Sequence, residues 1–129
     1  GEFYELAPCR QHPKPVQLPH PPLWFGGFGE ATYRRVADLG SGYYGFDQTP
    51  AEIAAVRRRI SELVDAAGRS MDEITISHGV YNRLPVSVDE LGEYHASGVD
   101  QFVVSLLGPS ADDMRQQLEW FGREFVGRF

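Results

Sequence analysis

Residues 23–40, LWFGGFGEATYRRVADLG, begin with a short apolar run, continue through closely spaced glycines and end in a helical pattern. The apolar run Leu23 to Phe25 predicts a strand that stops at the glycines. The segment from Glu30 to Leu39 contains no proline or glycine, repeats its apolar residues at helical spacing and ends before Gly40. This stretch therefore predicts one βα unit, a strand and a helix joined by a tight turn.

The same order recurs three times further along the chain. Aromatic or β-branched runs predict strands at residues 42–46, 73–78 and 101–107. A hydroxyl residue that can cap free backbone N–H groups opens the helix after each strand, namely Thr49, Ser87 and Ser110. Four strands alternating with four helices predict an α/β fold with a parallel sheet, because parallel strands need a connection of helix length.

The number of units limits the architecture. A (β/α)8 barrel takes roughly 250 residues, so these 129 residues supply about half of one. We expect one domain over residues 1–129, with a proline-rich strap at 1–22 and a half-barrel at 23–129. A half-barrel leaves two unpaired strand edges, which favours a homo-oligomer or a piece of a longer chain; the alternative is a small open sheet that is wound differently.

Composition restricts the partners. A net charge of −6 opposes nucleic-acid binding, and no apolar run approaches the roughly 18 residues of a membrane span. The N-terminus does not resemble a signal peptide, so we expect a cytoplasmic protein. The single Cys9 is interpreted as a surface thiol, and no Cys or His spacing indicates a metal site. A small-molecule or protein partner is therefore expected.

The glycine-rich turn is the strongest candidate site. It comprises Gly26, Gly27, Phe28 and Gly29, with Thr32 in the first helical turn. Glycines allow close approach of a ligand, and the N–H groups that open a helix lack internal partners and lie at the positive end of its dipole. The pattern indicates a phosphate site, although the same glycines would also suit a sharp βα turn with no ligand.

A second interpretation of the turn is a dinucleotide-binding fingerprint. Gly27 and Gly29 supply two of its glycines, and Asp47 lies 20 residues beyond Gly27, where a ribose-binding acid would stand. The third small position falls on Thr32, which breaks the pattern. A Rossmann-type NAD-binding protein therefore remains an alternative.

No catalytic residue can be assigned from these patterns. His78 is predicted at the carboxyl end of the third strand, where it could line a pocket with Asp47, Tyr81 and Asn82, or simply occupy a loop. The remaining histidines show no ligand spacing and are interpreted as ordinary surface positions: His12, His20 and His95. The aromatic residues of the last helix are interpreted as core or interface: Trp120, Phe121 and Phe125.

Several segments together resemble the bacterial luciferase-like monooxygenase family. They are the strap with its Pro13-Lys14-Pro15 and Pro21-Pro22 pairs, the Leu23-Trp24-Phe25-Gly26-Gly27 run, Gly42-Tyr43, and Ala67-Gly68-Arg69-Ser70 followed by Asp72-Glu73-Ile74. They occur in the family's order and cover nearly the whole chain.

The resemblance implies a (β/α)8 barrel that uses reduced FMN or the deazaflavin F420, with the F420 users slightly favoured. It implies that the turn from Gly26 to Thr32 holds the cofactor phosphate. By the same resemblance the four strands correspond to the last four of the barrel, and much of the active site belongs to the first four. The expected function is a flavin- or F420-dependent oxidoreductase; the alternative is a non-catalytic half-barrel that oligomerises.

Overall fold

The computed structural model describes residues 2–10, 12–81, 83 and 87–128. The elements alternate as the sequence predicts: β1 Trp24–Gly26, α1 Glu30–Leu39, β2 Gly42–Phe46, α2 Pro50–Ala66, a 3-10 turn Met71–Glu73, β3 Thr75–Val80, α3 Val88–Ala96, β4 Gln101–Val104 and α4 Ala111–Glu124. The strap positions among the described residues, 2–10 and 12–22, are exposed and belong to no helix or strand. None of the described helices is long and apolar enough to cross a membrane.

The four strands form one parallel sheet in the order β1-β2-β3-β4. Tyr43 of β2 lies between Phe25 of β1 and Ile76 of β3, which sets the register across the sheet. This confirms the predicted α/β class with parallel strands. A dinucleotide-binding fold places its ligand where the strand order reverses. The order here never reverses, so the structure does not support the Rossmann alternative.

Three helices pack on one face of the sheet. α1 contacts β1 and β2, and α2 contacts both α1 and α3. The residues at the centre of this layer are fully buried: Val36, Tyr43, Ile53, Ile60 and Ile76. Because side chains alternate along a strand, the neighbours of Tyr43 and Ile76 point to the opposite, concave face of the sheet.

The predicted hydroxyl caps at the starts of α2, α3 and α4 are confirmed. Thr49 accepts a hydrogen bond from the N–H of Glu52, whose carboxylate accepts one from the N–H of Thr49 in return. Ser87 and Ser110 also accept hydrogen bonds at the starts of α3 and α4. These caps satisfy N–H groups that would otherwise lack a partner.

Two strand boundaries differ from the prediction. The segment assigned to β3 from residue 73 instead begins with the 3-10 turn, because Ser70 caps that turn, and the strand starts at Thr75. β4 stops at Val104 rather than residue 107. Beyond it, the N–H of Leu107 donates to the Gln117 side chain 2.8 Å away. That bond ties the end of the apolar run to α4.

Candidate functional site

The glycine turn connects β1 to α1 in a conformation that other residues rarely adopt. Gly27 has φ of 110° and Gly29 has φ of 99°, values that favour glycine. Gly29 caps α1 without a side-chain hydrogen bond, and the first helical bonds run from the N–H groups of Thr32 and Tyr33 to its carbonyl. Within the described part of the chain, the N–H groups of Glu30 and Ala31 therefore have no acceptor.

The turn holds the buried side chain of Thr32 next to Gly27 and leaves free space next to Gly29. Thr32 is 8% exposed, and a Cβ atom placed on Gly27 would lie 3.6 Å from its hydroxyl oxygen. Apart from Gly29 and its two neighbours in the chain, no described residue has an atom within 4 Å of where a Cβ on Gly29 would stand. Tyr43 fixes the turn from the core by donating its hydroxyl to the Gly27 carbonyl at 3.1 Å. The structure thus brings the five predicted site residues together in one turn, supported by Tyr43.

A carboxylate also stands at the start of α1, where it would oppose an anion. Glu30 forms ion pairs with Arg34 at 2.9 Å and with Arg59 at 2.6 Å. Hydrogen bonding by Arg59 is the main cause that lowers the pKa of Glu30. The two guanidinium groups offset the negative charge of this carboxylate, and the pair with Arg59 links it to α2.

Aromatic side chains extend from the turn along the carboxyl ends of the strands. The rings of Phe28 and Phe46 have centroids 4.8 Å apart, and those of Phe46 and Tyr81 are 5.8 Å apart. Tyr81 donates its hydroxyl to that of Tyr44 at 3.0 Å. Sequence reasoning identified Phe28 and Tyr81 but missed Phe46 and Tyr44, although their aromatic strand was visible as a pattern.

The expectation for His78 is wrong. β3 continues two residues beyond His78, so the ring lies inside the strand and is fully buried. It faces the helices, stacked on Tyr94 with centroids 4.9 Å apart and against Phe102 at 5.9 Å. Burial lowers the pKa of His78. His78 therefore belongs to the core and lines no pocket with Asp47 and Tyr81.

A small cleft lies instead between the loops after β2 and β3. It has a volume of about 320 Å³ and is lined by residues from both loops, the end of β3 and α3: Asp47, Gln48, Thr49, Val80, Arg83 and Tyr94. Asp47 accepts a hydrogen bond from the N–H of Tyr81 at 3.2 Å. Asn82, the other residue of the predicted pocket, lies outside the described residues. Sequence reasoning did not identify Arg83 or Tyr94.

A solved structure with a similar fold is the coenzyme F420-dependent tetrahydromethanopterin reductase from Methanopyrus kandleri. The two match with a TM-score of 0.67 at 17% identity, over 84% of this chain and 51% of that chain. This chain therefore spans about half the length of that protein. At this identity the likeness shows the fold, and the four βα units match one half of a TIM barrel.

The family described as luciferase-like monooxygenase matches residues 1–124, which include the strap, the glycine turn and all four strands. A match of this extent covers nearly the whole chain. This chain belongs to the luciferase-like monooxygenase family.

Proposed function

We propose that this chain is the cofactor-phosphate-binding half of a flavin- or F420-dependent oxidoreductase. Membership of the luciferase-like monooxygenase family supports the general class of enzyme. The single observation that carries the proposal is the turn from Gly26 to Gly29, which lies at the carboxyl end of β1 and opens α1 with free N–H groups. In barrels of parallel strands, ligands bind at this end of the sheet.

The residues of the turn suit a phosphate group. The N–H groups of Glu30 and Ala31 offer donors at the positive end of the α1 dipole. The Thr32 hydroxyl has no hydrogen-bond partner among the described residues, and the space beside Gly29 leaves room for phosphate oxygens. The ion pairs of Glu30 reduce the repulsion that its carboxylate would exert.

The bound cofactor would supply the redox-active ring, whereas this chain would hold the phosphate and orient the rest of the molecule. FMN and F420 both carry a phosphate, and we propose one of them as the cofactor. F420 is the first to test, because the similar reductase from Methanopyrus kandleri depends on it.

The proposal is tested by titrating the purified chain with F420 and with FMN while following the cofactor's fluorescence. We expect saturable binding that inorganic phosphate competes away. Thr32→Val removes one hydroxyl donor to a charged ligand and should weaken binding about tenfold to a hundredfold, since such hydrogen bonds contribute about 1.5–3 kcal/mol. Thr75→Val, the same change at the start of β3 away from the turn, is the matched control and should leave affinity unchanged.

Two outcomes would contradict the proposal. If neither F420 nor FMN binds saturably, the proposal that this chain is part of an oxidoreductase is rejected. If Thr32→Val and Thr75→Val bind the cofactor with equal affinity and phosphate does not compete, the cofactor binds at a site other than the glycine turn.

A second candidate function is a non-catalytic half-barrel that self-associates. It is favoured by the exposed aromatic side chains of the concave face and the adjoining turn, since Trp24 is 41% exposed and Phe28 is 57% exposed. Exposed apolar patches of this kind mark interaction surfaces. Under this alternative the chain forms oligomers whether or not any cofactor binds.

A further inference from the structure

A cavity lies between α3 and β4, at the amino end of the sheet. Val99 and Asp100 directly precede β4, and His95 lies in the last turn of α3. The glycine turn instead follows the carboxyl end of β1, so this α3–β4 cavity and the candidate site lie at opposite ends of the parallel strands. The cavity has a volume of about 170 Å³ and is lined by six residues: Leu91, Tyr94, His95, Val99, Asp100 and Phe102.

The inner wall of the α3–β4 cavity is apolar and well packed. Leu91, Tyr94 and Val99 are buried, and the rings of Tyr94 and Phe102 have centroids 5.2 Å apart. The Tyr94 hydroxyl donates to the carbonyl of Gln48 at 2.8 Å. Because packed walls relax only partly around a space, an empty cavity leaves wall atoms without contacts that an apolar occupant would supply.

Hydrogen bonds fix the segment that closes the α3–β4 cavity. The N–H of Val99 donates to the carbonyl of Tyr94 at 3.1 Å, and the N–H of Asp100 donates to the carbonyl of Ile76 at 2.8 Å. The Nδ1 atom of His95 lies 3.4 Å from the carbonyl oxygen of Val99. The segment is thus tied to α3 and to β3, and the cavity cannot close without breaking these bonds.

An unpaired acceptor stands at the mouth of the cavity. The Asp100 side chain is exposed, and one of its oxygens accepts a hydrogen bond from the N–H of Ile76 at 2.8 Å. Within the described part of the chain, no donor bonds the other oxygen. The mouth therefore offers a charged acceptor, which favours a ligand that carries a hydrogen-bond donor.

We propose that the α3–β4 cavity binds a small aromatic molecule with a hydrogen-bond donor on its ring, of the phenol class. An apolar cavity of about 150 Å³ holds one benzene molecule, so about 170 Å³ suits one ring with a small substituent. Tyr94 and Phe102 supply aromatic surface for the ring, and Asp100 accepts from its donor. The site is separate from the proposed cofactor site and does not depend on it.

The intact chain is titrated with phenol and with benzene, and the amide NMR signals of Val99 and Asp100 are followed. We expect saturable shifts with both probes. Asp100→Asn keeps an oxygen that can accept from Ile76 but replaces the free oxygen with an amide NH₂, which cannot accept. It should weaken phenol binding about tenfold and leave benzene binding unchanged. Asp65→Asn, at an exposed aspartate of α2, is the matched control.

A second variant fills the cavity. Leu91→Phe places a larger side chain in the wall and should weaken binding of both probes at least about tenfold. Leu39→Phe, the same change at a leucine of α1 that is 63% exposed, should leave binding unchanged. Circular dichroism checks the fold of each variant, and Asp100→Asn keeps the proposal testable if Leu91→Phe does not fold.

Three outcomes would overturn the proposal. The first is that neither probe shifts the Val99 and Asp100 signals saturably, and the second is that Leu91→Phe binds phenol as well as Leu39→Phe. The third is that Asp100→Asn weakens phenol and benzene equally or not at all, which rejects the donor-bearing class of ligand. Binding of FMN and F420 should be unchanged in Leu91→Phe, so a failure of the cofactor proposal is distinguishable from a failure here.

Discussion

His78 is a titratable residue sealed inside an apolar layer. Both of its ring nitrogens lack a hydrogen-bond partner among the described residues, and Tyr94 and Phe102 cover the ring. Burial lowers its pKa below the ordinary value of 6.5, and the charge of Asp47 opposes this shift only in part. The folded chain therefore holds this histidine in its neutral form.

Because His78 is buried, we expect the free energy of unfolding to fall in mild acid. Below about pH 6.5 the unfolded chain binds a proton at residue 78 while the folded chain does not, so the free energy of unfolding decreases until the pH reaches the lower folded pKa. Urea unfolding between pH 8 and pH 5 should show this loss. His78→Phe, which fills the site with a ring that does not titrate, should flatten that part of the profile.

The control is His20→Phe, at an exposed histidine of the strap. It should leave the wild-type pH profile unchanged. A slope that is the same in wild type and both variants would show that groups other than His78 cause the acid sensitivity.

At the scale of elements, the carboxyl end of α1 depends on one arginine from beyond α2. Arg69 donates to the carbonyl oxygens of Ala37 and Gly40, each at 2.9 Å, and pairs with Glu73 at 3.0 Å. Charged donors at the end of a helix satisfy carbonyls that have no helical partner. The Gly68-Arg69-Ser70 segment thus links α1 to the chain that leads into β3.

Replacing Arg69 with alanine should destabilise the fold by about 1–3 kcal/mol, because the carbonyls at the end of α1 lose a charged donor. Thermal or urea unfolding measures the change. The matched control is Arg115→Ala, whose pair with Asp112 is exposed on α4 and should contribute less than about 1 kcal/mol. Equal losses in the two variants would refute the structural role of Arg69.

At the scale of the whole molecule, the sheet is open at both edges and on its concave face. β1 and β4 each lack a neighbour on one side within the described chain. On the concave face, the indole ring of Trp24 lies directly over Gly42. A Cβ atom added to Gly42 would stand 2.6 Å from that ring. A twofold axis along the strands would set β4 of one copy beside β1 of another in parallel orientation, and two copies would provide eight strands.

This geometry predicts a dimer that a charge on the concave face disrupts. Val103 lies beside Gly79 in the sheet and shares its concave side, so Val103→Lys should shift the chain to monomer in sedimentation velocity. Val126→Lys, at a valine that is 71% exposed near the C-terminus, should leave the dimer intact. A wild-type chain that stays monomeric at all concentrations would reject self-association and point to a different partner for the open face.

Local sequence patterns predict much of this architecture. Caps such as Thr49, the glycines at 27 and 29 and the apolar spacing of α2 act over a few residues, so local rules located the helices, the strands and the candidate turn. The least accurate boundaries were those of β3 and β4. Before β3, the cap at Ser70 forms a 3-10 turn that delays the start of the strand. After β4, the side chain of Gln117, which is distant in sequence, bonds the N–H of Leu107.

The sequence by itself determined the four βα units and the turn that joins β1 to α1, because periodicity, capping and glycine conformation are properties of short segments. Only the tertiary structure decided which way each strand residue points. Strand register buried His78 on the helical side and brought Phe28, Phe46 and Tyr81 into one row from three loops and strands. Those contacts join residues that are far apart in the chain, and they depend on how the strands pair, which no local pattern encodes.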